Sequence, residues 1–404
     1  FSRKKYCSIT MLLANFLSKT LKQGGIVLID SNGQKYICGN PSNDKPLTLK
    51  LFKKDLNWKL LIHPELYLGE EYYKNNLEIE NGSIYDFLCL CLKNIGRGKI
   101  NNYSNILNKF LRIYKYFLTH NNPALSKKNV QHHYDRGEDL YNLFLDKKHK
   151  LYSCAYFKTG NESIEEAQDN KLKHIIKKLH LKPNMKVLEI GSGWGGICFE
   201  IARQSKCEVV GITLSKNQLE YSKEKAKELK LDNQVSFELC DYREVKKKFD
   251  RILNVGMLEH VHPKYYNIFF KKISEILKDD GICLTHTIGS TNPPGAQNAF
   301  IDKYIFPGGK VPSLSQLIPQ IEKNNLVLSD CESLIRHYDK TLKAWLDTFL
   351  TNKEKVKHLF NKQFVRLFEF YLASCSAAFT YGDLLVYQLQ IVKDYSALPS
   401  NRRD

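Results

Sequence analysis

The chain has 404 residues, 43% hydrophobic and 12% aromatic, enough apolar material for a large core and enough length for two or three domains. It reads as globular, and eleven scattered cysteines in a chain this long exclude a small disulfide-stapled module. The 61 Lys and Arg against 43 Asp and Glu leave a formal charge of +18, which favours nucleic acid or acidic lipid headgroups as a partner without choosing between them.

The cysteines show no paired zinc spacing, Cys89 and Cys91 being the nearest pair, and a reducing cytoplasm is the simpler reading. In residues 1–21 the apolar run is interrupted by Asn15, Ser18 and Lys19. No signal peptide or spanning helix is therefore expected, and membrane contact would be peripheral, at the inner face.

Short β-like runs at residues 25–29 and 47–52, separated by Asn, Gly, Pro and Asp, predict a small mixed α+β domain over residues 1–95. Residues 93–128 then carry Lys93, Arg97, Lys99, Lys109, Arg112, Lys115, Lys127 and Lys128 with no acidic residue. Within them Ile106, Leu107, Phe110, Leu111, Ile113, Tyr114, Phe117 and Leu118 recur at helical spacing, with Lys109, Arg112 and Lys115 largely on another face. A basic amphipathic linker over residues 96–128 follows, which can lie in a lipid interface or pack on its own protein.

From Tyr134 the pattern becomes strands alternating with helices, with strand-like runs at residues 186–190, 207–213, 235–239, 249–255 and 281–287. Such alternation predicts an α/β doubly wound, mostly parallel sheet, placed in a domain over residues 129–404. The turn after the first of these strands, residues 189–196, satisfies G-x-G-x-x-G, where glycines permit a tight turn and close backbone approach to a ligand. A nicotinamide site places a carboxylate at the end of the second strand, yet that strand runs into Gly211-Ile212-Thr213-Leu214-Ser215. Glu189 and Asp241-Tyr242 instead offer carboxylates and an aromatic face to a sulfonium nucleoside. His260 and His262 have no further ligand cluster, so no metal is expected.

Tyr152-Ser153-Cys154-Ala155-Tyr156-Phe157, the glycine loop, Gly256-Met257-Leu258-Glu259-His260-Val261, Leu284-Thr285-His286-Thr287-Ile288-Gly289 and Tyr304-Ile305-Phe306-Pro307-Gly308-Gly309 together resemble the cyclopropane-fatty-acid-synthase and mycolic-acid cyclopropane-synthase family. The resemblance runs from about Tyr134 to Tyr395 and implies a class I, Rossmann-like methyltransferase fold. It also implies S-adenosylmethionine held by Tyr134, Tyr152, Ser153, Gly191, Gly193, Thr213, Leu214, Gln218 and Tyr242, with Asp241 facing the adenine. Tyr242-Arg243 stands where some members have Trp-Glu, and Ser192 where the loop often has Cys.

The implied reaction adds a one-carbon unit to the cis double bond of an acyl chain through a carbocation, which aromatic faces such as Tyr156 and Phe157 would stabilise. The resemblance makes bound bicarbonate the base, oriented by Cys154, Glu259, His286, Ile288 and Tyr338, and matches Cys375 to a family cysteine near the pocket. Leu68-Gly69-Glu70-Glu71-Tyr72-Tyr73 resembles part of the accessory domain of bacterial cyclopropane synthases, which implies lipid handling and favours an unsaturated phospholipid; the basic charge favours an anionic membrane surface, and a homodimer stays open. No RNA-binding aromatic signature supports nucleic acid. A methyl-branched or sphingolipid product stays open at this point, as does a non-catalytic lipid-binding protein.

Overall fold

A computed structural model of the protein describes residues 9–42, 44–97 and 138–399. Residues 98–128 of the basic stretch, and Tyr134, lie outside the described residues. The chain divides into two compact units: Phe1–Leu111 with Asn298–Ile305 and Leu342–Asp383, and Arg112–Gln297 with Phe306–Thr341 and Leu384–Asp404.

In the first unit, β1 (Gly25–Ile29), β2 (Lys35–Gly39), β3 (Thr48–Leu51) and β4 (Leu77–Glu80) form a sheet in the order β2-β1-β3-β4. Only the β1–β3 pair is parallel. The helix Ile84–Ile95 begins with a capping box, in which Ser83 and Asp86 satisfy each other's backbone N–H groups.

The helices Ala299–Tyr304 and Lys362–Tyr381 pack into the first unit. The reason is apolar and ionic matching. Phe370 sits 4.8 Å from Phe300 and 6.0 Å from Tyr72 on the helix Pro64–Tyr73. The Arg366 guanidinium lies 3.8 Å from the Tyr72 ring and donates to the Tyr72 carbonyl at 2.8 Å. Buried Glu70 accepts from Lys303 at 2.7 Å, Tyr304 at 2.8 Å and Lys74 at 3.0 Å. Burial pulls this carboxyl upward, and the three donors bring it down to about 2.

In the second unit, β5 (Lys186–Ile190), β6 (Glu208–Thr213), β7 (Val235–Leu239), β8 (Phe249–Val255), β9 (Leu277–Ser290), β10 (Val327–Leu334) and β11 (Leu384–Val392) form one sheet in the order β10-β11-β9-β8-β5-β6-β7. β5 to β9 are parallel, and β11 inserts antiparallel between β9 and β10. Consecutive side chains feed opposite faces. Leu188 and Ile190 join a core with the helix Tyr266–Ile276, while Val187, Leu253 and Leu284 join another with the helices Ile164–Leu179 and Gly196–Ser205. This is the class I methyltransferase architecture. The order reverses between β5 and β8, which opens a crevice beyond their carboxyl ends. Among the described residues no helix is long and apolar enough to cross a membrane.

Candidate active site

The crevice at that reversal is a mostly apolar pocket. Its lining runs through Ile190, Gly191 and Gly193 after β5, Thr213 and Leu214 at β6, Gln218, Asp241, Tyr242 and Arg243 after β7, and Val255, Gly256, Met257 and His260 after β8. Gly191 has φ of +82°, and its N–H and that of Ser192 both donate to the Ile212 carbonyl, folding the loop back over β6. A Cβ at Gly196 would fall 2.3 Å from the His149 carbonyl oxygen, so only glycine lets the following helix start there.

Thr213 Oγ1 donates to Gln218 Oε1 at 2.9 Å, which locks both side chains at the pocket edge. Asp241 does line the pocket, but Arg243 grips its carboxylate in a fork, Nε to Oδ1 at 2.8 Å and Nη2 to Oδ2 at 2.6 Å. The residue that stands in place of the family glutamate therefore neutralises Asp241, holding its carboxyl below the usual range against the upward pull of burial. Arg243 also lies 5.3 Å from the Tyr242 ring. Burial pushes His260 down to about 4, so the ring facing the pocket is neutral at physiological pH.

Beside this pocket, the second half of the constellation is tied together by backbone. Gly256 N–H donates to the His286 carbonyl at 2.9 Å, joining the loop that carries Glu259 to β9. Ile288 N–H donates to Glu259 Oε1 at 2.6 Å. Glu259 Oε2 is buried without a hydrogen-bond partner among the described residues. Burial pushes this carboxyl up to about 7, with the Ile288 N–H and, more weakly, the Thr287 hydroxyl opposing.

His286, 2% exposed, sits on β9 and contacts Gln388 Nε2 through Nδ1 at 3.1 Å. Cys154 is fully buried, its thiol donating to the Ala155 carbonyl at 3.3 Å, and burial raises it far above the usual thiol range. Ala155 N–H donates to Thr341 Oγ1 at 3.0 Å, which brings the turn holding Cys154 to the helix Tyr338–Thr351, whose first residue is buried Tyr338.

Of the other residues expected at the site, Tyr152 packs in an aromatic wall, 5.2 Å from Tyr141 and 6.0 Å from Phe144. Ser153 Oγ accepts from Lys171 Nζ at 2.8 Å. Glu189 is 1% exposed and accepts from the Cys198 thiol at 2.9 Å, under the glycine loop and absent from the pocket lining. Burial pushes Glu189 up to about 8, and burial lowers fully enclosed Lys171 to about 8.

Tyr156 does not offer a free face to a cation. Its ring stacks on His174 at 4.3 Å and on His337 at 4.9 Å, and these imidazoles already take up its π-surface. The neighbouring Phe157 N–H donates to His337 Nδ1 at 3.0 Å. Cys375 belongs to the first unit, on the helix Lys362–Tyr381, where desolvation pushes its thiol up to about 12. Among the described residues no group of three or more acidic, His or Cys side chains could hold a metal.

Sequence reasoning passed over Lys171, His337 and Gln388. A signal existed for two of them. Lys171 lies on the buried stripe Ala167, Leu172, Ile175 and Leu179 of its helix, and Gln388 interrupts the apolar run of β11.

Residues 121–389 match the family described as mycolic acid cyclopropane synthetase. The chain is 41% identical over 257 residues to the cyclopropane-fatty-acyl-phospholipid synthase of Escherichia coli K12, a match spanning 64% of this chain and 65% of that protein, less than two thirds of its length. It is 34% identical over 286 residues to a probable fatty acid methyltransferase of Pseudomonas putida, covering 68% of this chain and 72% of that one. The solved structure of the cyclopropane synthase MmaA2 from Mycobacterium tuberculosis superposes with a TM-score of 0.62 at 31% identity, over 66% of this chain and 97% of that one.

Proposed function

The chain belongs to the mycolic acid cyclopropane synthetase family, and we propose that it uses S-adenosylmethionine to turn the cis double bond of an unsaturated phospholipid acyl chain into a cyclopropane, with bicarbonate as base. The observation that carries this reading is the Glu259 carboxylate, one oxygen fixed by Ile288 N–H at 2.6 Å and the other buried without a partner among the described residues. A buried carboxylate oxygen left without a donor calls for a ligand O–H.

When bound, S-adenosylmethionine supplies a methyl group activated by positive sulfur, and bicarbonate supplies a base for the proton lost on ring closure. The residues present suit both. The pocket's one arginine is already matched by Asp241, and His260 is neutral, so no uncompensated positive charge there opposes a sulfonium. Thr213 and Gln218 present oxygens at its edge, and the apolar walls exclude water from the electrophile. On the other side, Glu259 would hold the hydroxyl of such an anion and the His286 ring and the Tyr338 hydroxyl would donate to it, a donor and acceptor set that suits a base carrying a single proton. Cys154, kept as a neutral thiol by burial, brings no charge to compete with that anion.

An acyl chain must leave a bilayer to reach such a site, and the first unit favours an approach to a lipid surface. Leu12 and Phe16 on one helix, Trp58 and Ile62 on another, and Ile37 and Phe52 are large apolar side chains left exposed. Each helical pair is spaced four apart and shares a face. The net charge of +18 favours anionic headgroups at that surface.

The test is incubation of the purified protein with S-adenosylmethionine and vesicles of unsaturated phospholipid, followed by mass and proton spectra of the acyl chains. A gain of one CH₂ with cyclopropane protons is expected. A methyl-branched product would move the activity to lipid C-methylation, and no product despite measured cofactor binding would refute the lipid substrate.

A further inference from the structure

His286 and Gln388 face each other across the antiparallel β9–β11 pair, in direct register. Both are enclosed, at 2% and 0% exposure, and Gln388 Nε2 lies 3.1 Å from His286 Nδ1. In this orientation the amide nitrogen donates and the ring nitrogen it meets presents a lone pair, while Gln388 Oε1 is buried without a hydrogen-bond partner among the described residues. In an imidazole that carries one proton, the proton is then on Nε2.

The surroundings disfavour an imidazolium. Burial, followed by Lys171, Lys178 and His174, holds His286 well below its usual range, and Glu332 acts against them only weakly. Glu332 is the next residue along the same row, paired with Gln388 on β10, and its carboxylate is already engaged by His174 at 2.6 Å and by Lys178. His286 therefore has one N–H to give, and Gln388 decides which end of the ring carries it.

We propose that Gln388 is a positioning residue that fixes His286 in the Nε2–H tautomer, so that the ring donates to the bound oxyanion beside Glu259. The proposal rests on the role given to His286 in the preceding section. A tautomer with the proton on Nδ1 would require the amide to turn over and offer Oε1, and would leave the ring only a lone pair to face an anion, which repels it. The sheet supplies the rigidity: β11 is held on both sides, by β9 and β10, so the amide has little freedom to move away.

The experiment is a two-bond proton–nitrogen correlation spectrum of protein labelled with ¹⁵N-histidine, the His286 signals being assigned by their loss in His286→Gln. The wild type is expected to show a single Nε2–H tautomer. In Gln388→Leu, with Gln388→Met as a second variant of similar volume, the two tautomers should mix. Turnover should fall by roughly 100-fold while cofactor affinity and melting temperature stay near wild type. An Nδ1–H wild type, or a leucine variant that keeps both tautomer and turnover, overturns the proposal. The spectrum needs no turnover, so an Nε2–H signal in a protein that makes no cyclopropane would refute the functional reading and leave the hold of Gln388 on His286 standing.

Discussion

Replacing Glu259 by glutamine separates what the carboxylate does for the reaction from what it does to the fold. In the native protein burial raises this carboxyl from 4.5 to about 7. The folded state therefore holds a proton that the unfolded chain releases between those two values. Stability from this group is full below pH 4.5, falls as pH rises, and is gone above about 7. At about 1.4 kcal/mol for each pH unit, the gap corresponds to about 3 kcal/mol, an upper figure because the residue is only part-buried while its carboxylate is enclosed. Glu259→Gln keeps an oxygen to accept from Ile288 N–H and never ionises. Urea denaturation should find wild type and variant alike near pH 4.5, and the variant more stable by about 2–3 kcal/mol at pH 8.5. The variant's amide nitrogen would donate where an acceptor is needed, so turnover should fall by roughly 100-fold or more with cofactor affinity kept. An equal stability difference at both pH values would refute the buried-carboxylate argument, and normal turnover would remove Glu259 from the mechanism.

Three further outcomes follow from the packing. A Cβ at Gly69 would lie 2.4 Å from Phe300 Cδ2 and 2.7 Å from Phe370 Cε1, so Gly69→Ala should destabilise the first unit by about 1–3 kcal/mol, read as a lower urea midpoint. A thiol reagent at pH 8 should modify exposed Cys331 well before buried Cys154 and Cys198, whose thiols burial raises, with the order read by mass spectrometry of peptides; early modification of Cys198 would mean the glycine loop opens readily. Trp58→Ser with Ile62→Ser should weaken association with anionic vesicles by about tenfold, the equivalent of about 1.4 kcal/mol, and unchanged sedimentation with vesicles would place the lipid contact elsewhere.

Local patterns carried the nucleotide end of the fold. β5 and β8 begin and end where the apolar runs do, because each is a buried parallel strand bounded by turn residues on both sides. The glycine loop was legible from its own spacing, whereas Glu259 and Ile288, which meet across 29 residues of sequence, and His286 were named only by the family resemblance. What stayed hidden depended on distant partners. Nothing near Tyr156 announces that His174 and His337 will close over its ring. The ion pair of Asp241 with Arg243 was open to view in Asp241-Tyr242-Arg243, two residues apart, and a fork between them needs only a turn. The discontinuous first unit could not be read from composition, since the helix Lys362–Tyr381 is apolar on a face that would suit either unit.

The place of β11 in the sheet has a consequence for a ribosome making this chain. Among the described residues β10 pairs only with β11, which is translated about 60 residues after β10 begins. At about 5–20 residues per second, the nascent β10 therefore waits about 3–12 seconds with both edges unsatisfied, and β9 waits longer with one. Each is then a template for a stray strand from another chain. Production at high levels should consequently lose material during synthesis rather than afterwards, and slowing translation ahead of β11 should make that loss worse.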